Sequence, residues 1–320
     1  MTLILFSRYD SILTVMKTMK SKLKSNIAIL VATIIWGSTF VAQSIGMDHI
    51  GPFTFQTARC CLGGLILLPI IAVSDQFTCK DDGKNFLSRW LDKRLWKAGL
   101  FCGIPLFVAT NLQQVALVDT DAGKSAFLTA MYIVFVPIIG MFFGQKPSKW
   151  IPFSVILGVA GLYCLSCVGV TTIATGDLLL LGCAVAFAIQ ILAVDKYANQ
   201  VDCLRLNCIN AFLCAILSAI VMLLTETPKW SAIEGCFGSI AYAGILSMGI
   251  AYSLQNIGQK NLDSATASLL MSTESVFAVL SGWIVLKQGL DFWEGLGCAL
   301  VFAAIILSQL PDKKKAKSTT

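Results

Sequence analysis

Charge is what this sequence has least of. Only 13% of its 320 residues are Asp, Glu, Lys or Arg, against roughly 25% in an ordinary soluble domain, so there is too little charge to cover a water-facing globule. Histidine is almost missing as well: His49 is the single one. One imidazole without clustered thiols or carboxylates cannot assemble a zinc site or an acid–base pair. No G-x-x-x-x-G-K-[ST] phosphate loop occurs, which excludes direct use of ATP through that motif. Long polar stretches are missing too. The longest, Ser74 to Lys93, shows no apolar periodicity, reads as a solvated basic anchor, and leaves no room for a soluble catalytic domain. A membrane enzyme acting on lipid-linked substrates would need paired carboxylates, a nucleophile with its base, or a metal cluster. None can be composed from these residues, so neither an enzymatic activity, a cofactor nor a metal is expected. The net charge of +6 is scattered between apolar blocks without a basic, aromatic-rich patch, so no nucleic-acid partner is expected.

Cysteine is plentiful at 12, spread through the apolar segments. In that setting it acts as a small apolar residue. Cys164-x-x-Cys167 has neither a second pair nor a nearby histidine, and it too is read as packing.

Against these absences stands a 56% hydrophobic chain. About 20 apolar residues at 1.5 Å each cross ~30 Å of hydrocarbon as a helix. Ten such segments can be counted: 26–45, 52–73, 95–117, 122–143, 151–168, 175–194, 206–224, 239–256, 265–286 and 292–309. With the N-terminus placed in the cytoplasm, that side collects all of the 24 basic residues except Arg59, Lys124, Lys229 and Lys287. The positive-inside rule then puts both termini in the cytoplasm, as an even number of spans requires. The expected class is therefore an all-α integral membrane protein of ten transmembrane helices. Residues 1–25 are expected to form a cytoplasmic N-terminal segment. Arg8 and Asp10 interrupt its apolar run and no small-residue cleavage site follows, so it is a poor signal peptide. Met1 to Val15 reads either as an interfacial amphipathic stretch or as an artefact of the assigned start, with Met16 and Met19 as more ordinary beginnings. Residues 311–320 read as a basic cytoplasmic tail.

The chain also repeats itself. A shift of 142 residues without a gap superposes ten identities over 55 positions, among them Leu112 on Leu254, Gln113 on Gln255, Gly140 on Gly282 and Ser166 on Ser308. The register holds through three apolar segments, which points to an internal duplication into residues 26–168 and 169–310. Five spans in each half make the two halves enter the membrane from opposite faces, an inverted repeat. Solute sites in such folds lie near the midplane where the halves meet.

Glu274 marks that level. Of 18 acidic residues it alone sits deep inside a span, where a carboxylate costs at least ~2.5 kcal/mol and must face protein or a water-filled cavity. It either titrates during a transport cycle or pairs with a cationic solute group; the rival reading is a permanently neutral carboxyl bonded between helices. Gln43, Asn111, Gln114, Gln190 and Gln255 supply uncharged donors and acceptors, and Trp36 and Tyr132 supply aromatic faces away from the interface belts. Each of these is also compatible with helix-to-helix packing. Arg59 is read first as a snorkelling or carbonyl-bonded side chain and second as a contact for a solute anion. Lys124 is read as an interfacial anchor. Gly140-x-x-x-Gly144 is read as close helix packing.

Trp36-Gly-Ser-Thr-Phe-Val, Arg59 with the following CCLGGLILLP, AGKSAFLTAMYIVFVPIIG (122–140) and ATASLLMSTESVFAVLSGW (265–283) resemble the ten-helix drug/metabolite transporter superfamily, in its bacterial EamA-type branch. The resemblance covers residues 26–309. It implies two inverted five-helix repeats around a central cavity lined by the first, third, fourth, sixth, eighth and ninth helices. It also implies a multi-pass protein of the bacterial inner membrane. The sequence departs from the pattern at two matched places. Glu274 precedes Ser275 where relatives commonly have Glu-Pro, and Tyr132-Ile133 stand where they often have Asn-Pro, so no proline kink is expected at that pair. The resemblance further implies a secondary transporter exporting a small metabolite or amino acid-like solute by alternating access, with protons as possible co-substrate through Glu274. A lipid-carrier flippase or an importer of the same fold is the alternative. The expected partners are a small-molecule solute, the lipid bilayer and protons.

Overall fold

Apolar helices need capped ends, and the sequence supplies aspartates for three of them. In the computed structural model Asp92 accepts from Arg94 N (2.8 Å), Asp202 from Arg205 N (2.8 Å) and Asp263 from Thr266 N (3.0 Å), each satisfying an orphan first-turn donor. The structure describes residues 2–78, 86–120, 122–166, 175–286 and 292–310, and these are helical with short connections and contain no strand. In chain order the elements are α1 (Thr2–Met47), α2 (Pro52–Thr78), α3 (Phe86–Trp90), α4 (Lys93–Ala116), α5 (Ala122–Ala130), α6 (Tyr132–Phe142), α7 (Ile151–Ser166), α8 (Thr175–Tyr197) and α9 (Cys203–Thr225). They continue with α10 (Trp230–Gly235), α11 (Phe237–Ala241), a π-helical stretch Tyr242–Ala251, α12 (Tyr252–Gln259), α13 (Ser264–Met271), α14 (Glu274–Leu286) and α15 (Phe292–Ser308).

Each of the ten apolar segments lies on helix. Among the described residues, eight helices, counting α5 with α6, α11 with the π stretch and α12, and α13 with α14, are long and apolar enough to cross a membrane; Ile151–Cys164 and Phe292–Ser308 are apolar but shorter. The protein is a multi-pass helical membrane protein. Large apolar side chains such as Phe142, Leu224 and Ile284 stand exposed on its outer surface, as lipid-facing residues do. At the N-terminus no break separates residues 1–25 from the first span, because α1 runs unbroken from Thr2 to Met47. The basic tail 311–320, residues 79–85 of the long polar connection, Cys167, the boundary between the halves at 168 and 169, and Lys287 lie outside the described residues.

Neighbours are exchanged in pairs. α2 packs on α9, α7 on α15 and α6 on α13, while α4 lies on α8 as α1 lies on α12 and the π stretch, and α9 lies on α4 as the π stretch lies on α2. Swapping each element of the first half with its counterpart in the second returns the same pattern. The α2–α9 pair is clamped at both ends. Glu226, just after α9, accepts from Phe53 N (2.9 Å), Thr54 N (2.8 Å) and Thr54 Oγ1 (2.5 Å), so a carboxylate caps the start of α2. At the far end the Arg205 guanidinium forks onto Asp75, with Nη1 3.1 Å from Oδ1.

Two spans are broken, and at matched positions. α5 gives way to α6 at Met131, and α13 to α14 at Ser272 and Thr273, 142 residues on for the second of these. Proline is absent at both breaks, as the sequence shows, yet the helices break. The ladder tightens to three-residue spacing there: Met131 N bonds Leu128 O (3.2 Å), Thr273 N bonds Leu270 O (3.2 Å) and Ser275 N bonds Ser272 O (3.2 Å). In the second half the hydroxyls of Ser268, Ser272 and Thr273 donate to carbonyls three residues back at 2.7 to 2.8 Å, drawing those carbonyls from the ladder. In the first half Pro137, inside α6, removes a ladder donor one turn after the break.

Candidate functional site

Trp36, Phe40 and Gln43 of α1, Arg59 of α2, Gln113 of α4, Tyr132 of α6, Phe187 and Ile191 of α8, Ser247 and Tyr252 of the eighth span, Gln255 of α12, Met271 and Glu274 together wall one internal cavity. Its volume is about 30 Å³, counted as space for the centre of a water molecule, which is room for a water or two. It is built from both halves. Glu274 opens α14 and is 6% exposed. Tyr132 opens α6, and its hydroxyl donates to Glu274 Oε1 at 3.0 Å across a separation of 142 residues, the repeat interval itself. The two residues that the duplication sets in register are thus bonded to each other. Hydroxyls beside Glu274 tie the break to its surroundings: Thr273 Oγ1 lies 2.9 Å from Thr33 Oγ1 on α1, and Ser275 Oγ donates to Ala126 O (3.0 Å) on α5. On α1, Gly37 lets the two backbones meet, because a Cβ there would stand 2.6 Å from Glu274 O and 2.7 Å from Ala278 N.

Arg59 occupies the same cavity and is 2% exposed. It does not snorkel to an interface, the first expectation for it. No carboxylate lies within ion-pair distance of it among the described residues, and its Nε is buried without a hydrogen-bond partner. Trp36 is half-buried, with its ring centroid 5.0 Å from that of Tyr252 and its Nε1 likewise unpartnered. Tyr132 meets Phe187 edge-on at 6.3 Å.

The expected amides divide. Gln43 and Gln255 line the cavity, whereas Gln114 and Gln190 stand behind them: Gln43 donates to Gln114 Oε1 (2.6 Å) and Gln255 to Gln190 Oε1 (3.1 Å) and Gln259 Oε1 (3.0 Å). Asn111 is not brought to the cavity. Its amide is spent on Phe107 O (2.8 Å) and Ser218 Oγ (2.9 Å) between α4 and α9. Gln113, the repeat counterpart of Gln255, takes the lining position instead and bonds Thr129 Oγ1 (3.2 Å). The 142-residue register held the signal for Gln113. Phe40, Phe187, Ser247, Tyr252 and Met271 had none, since each reads as core in an apolar run.

Two further residues gain partners. Lys124, expected as an interfacial anchor, pairs with Asp177 at 2.7 Å. Gly140-x-x-x-Gly144 divides: Gly140 packs closely, a Cβ there standing 2.7 Å from Gln145 Oε1 and 3.4 Å from Leu192 Cδ2 of α8, whereas Gly144 ends the helix with φ +79°, Gln145 N bonding Gly140 O (3.0 Å) and Gly144 N bonding Met141 O (3.0 Å).

The π-helical stretch of the eighth span is met by a side chain of α9. Asn207 Nδ2 lies within hydrogen-bond distance of Met248 O (2.9 Å), Gly249 O (3.0 Å) and Ser253 Oγ (2.9 Å), its two protons shared among the three. Ser247 and Tyr252, both cavity residues, flank this point.

The model of the EamA-like transporter family matches residues 23–167 and again 174–310. The chain belongs to the EamA-like transporter family. Similar relatives include an uncharacterized transporter of Archaeoglobus fulgidus, 29% identical over 290 residues covering 90% of this chain and 87% of the relative. Another is the uncharacterized transporter YoaV of Bacillus subtilis, 22% identical over 291 residues covering 89% and 96%. A solved crystal structure has the same fold, with a TM-score of 0.73 at 17% identity over 91% of this chain and 98% of that one. This EamA-like transporter therefore places a buried acid and a buried base in one cavity assembled from both of its family-matched segments.

Proposed function

We propose that this EamA-like transporter is a secondary transporter of the bacterial inner membrane that exports a small polar or amphipathic solute, amino acid-like in size. Ten spans, in two inverted five-helix repeats with cytoplasmic termini, alternate the cavity between the two faces. Glu274 exchanges its hydrogen bond to Tyr132 for a proton or for a cationic group of the solute. The observation that carries this reading is the Tyr132–Glu274 bond in the cavity wall, made at 3.0 Å by the two residues that open the second halves of the broken helices. Each break is a place where a half-helix can move without disturbing the rest of its span. A cavity of about 30 Å³ is far below the ~300 Å³ or more of an ordinary ligand pocket, so passage of an organic solute requires the walls to part.

The test compares metabolites in medium and cells of a bacterium expressing the native chain, Glu274→Gln or nothing, at two external pH values. Export predicts a solute that accumulates outside only with the native chain, and proton coupling predicts that Glu274→Gln abolishes the pH dependence. Media alike in all three cultures would count against export, and depletion of a solute from the medium would favour import. Movement of a lipid-linked carrier without any soluble solute would favour the flippase alternative.

A further inference from the structure

Away from the central cavity, the ends of three spans enclose a groove. α4 begins at Lys93, α8 ends at Tyr197 and α9 begins at Cys203. Between the chain leading into α4 and the chain joining α8 to α9, a polar groove of about 650 Å³ opens to the surface, counted as space for the centre of a water molecule. That is the size of an ordinary ligand site, ~300–1,000 Å³. Arg89, Arg94 and Arg205 line it together with Asp92 and Asp202.

These charges sort by what already answers them. Asp92 accepts from Arg94 N and Asp202 from Arg205 N, both at 2.8 Å, so the two carboxylates balance the starts of α4 and α9. Arg205 is 2% exposed and committed: Asp75 takes both terminal nitrogens, and the rings of Phe86 and Trp90 lie 5.6 and 5.4 Å from its Cζ. Arg94 is different. It is exposed, and among the described residues no carboxylate lies within ion-pair distance of its guanidinium. Position then decides which anion can reach it. The groove lies where membrane-crossing helices end, which is the headgroup layer of a bilayer. Leu91 on its rim and Leu87 beside it are largely exposed, and the half-exposed Trp96 donates Nε1 to Trp90 O at 2.6 Å, as an aromatic at a membrane interface does.

We infer that this groove is a phosphate-ester site with Arg94 as its principal contact, filled by the headgroup of an anionic glycerophospholipid. A guanidinium meets two phosphate oxygens at once, Arg89 adds a second cation to the same wall, and Leu91 offers apolar surface to the first carbons of the acyl chain. One wall belongs to the first family-matched segment and the other to the second. A bound headgroup therefore ties the two halves together at one face and stabilises the folded chain by mass action.

The experiment is native mass spectrometry of the purified full chain in detergent, titrated with dioleoyl phosphatidylglycerol or with dioleoylglycerol, which has the same chains and no phosphate. The expected result is one saturable phosphatidylglycerol adduct, with dioleoylglycerol weaker by about tenfold or more. Arg94→Gln should weaken that adduct by about ten- to hundredfold, the range of one charge-assisted contact, and Arg94→Lys should recover part of it. Lys22→Gln, an exposed change on α1 that does not line the groove, should leave it unaltered. Added phosphatidylglycerol should raise the midpoint of thermal unfolding of the native chain and not of Arg94→Gln. Equal binding of the two lipids overturns the site even if a variant fails to fold, and so do equal losses in Arg94→Gln and Lys22→Gln. Displacement of the lipid by glycerol 3-phosphate at an equal concentration keeps the phosphate chemistry but overturns the lipid as its source. Binding alone is read, so a failure here leaves the transporter reading standing, and a failure of transport leaves this site standing.

Discussion

At Gly37 a single hydrogen atom separates α1 from the break in the ninth span. A Cβ at that position would meet Glu274 O, Phe277 Cβ and Ala278 N at 2.6 to 2.7 Å, all of them backbone or near-backbone atoms that cannot rotate away. Gly37→Val should therefore cost about 1–3 kcal/mol, as overpacking does, read as a lower midpoint of thermal unfolding in detergent. It should also disturb the Tyr132–Glu274 contact directly behind it. Tyr132→Phe keeps the ring but removes the hydroxyl donor. Leaving a buried acceptor without its partner costs about 1–3 kcal/mol, and the expected result is a destabilised protein whose stability is partly recovered by adding Glu274→Leu, which removes that acceptor. A double-mutant cycle reads this: additive losses would mean that the 3.0 Å contact contributes nothing.

At the scale of elements, side chains from neighbouring helices bond backbone groups of the spans. Asn207 of α9 meets the π-helical stretch, its two amide protons shared among three acceptors. Asn207→Leu, of similar size, should take the amide donor from Met248 O while Gly249 O keeps the Ser253 hydroxyl at 2.7 Å, and so loosen that stretch. Hydrogen exchange at 244–253 would report it as altered protection there, with α2 and α4 unchanged. Glu226 serves α2 in the same way. Glu226→Ala frees the first-turn donors of Phe53 and Thr54 and should cost about 0.5–2 kcal/mol, measured by denaturation, with the loss confined to the α2–α9 clamp. Sequence reading caught the spans but not these connections. Asn207 and Glu226 are separated by tens to hundreds of residues from what they bond, and no local periodicity records the partner.

Across the whole molecule, the two bridged glutamine pairs sit in corresponding parts of the two halves, Gln43 with Gln114 and Gln190 with Gln255. On the proposed inverted topology they lie toward opposite faces of the membrane. Gln43→Leu should then alter the apparent affinity for solute at the outer face and Gln190→Leu at the cytoplasmic face. Right-side-out and inside-out vesicles separate the two, and equal effects on both faces would contradict the inversion.

The sequence by itself determined the solvent and the coarse plan. A chain this apolar and this poor in charge has to sit in lipid, a lone mid-span carboxylate has to face inward, and the 142-residue register links Tyr132 with Glu274 and Gln113 with Gln255. These follow from transfer energies and from spacing along one chain, which composition and order record directly. What tertiary structure decided is which side chains share the cavity. Neighbours on a helix point ~100° apart, so the rotation of α4 alone puts Gln113 on the cavity, Gln114 behind it and Asn111 toward α9. The contrast between Arg59 and Arg205 belongs to the same level. Both are arginines in apolar surroundings, and only packing shows that Asp75 answers one of them while the other faces the cavity and the Cys60 thiol, because a counterion is a property of neighbouring helices and not of the helix that carries the charge.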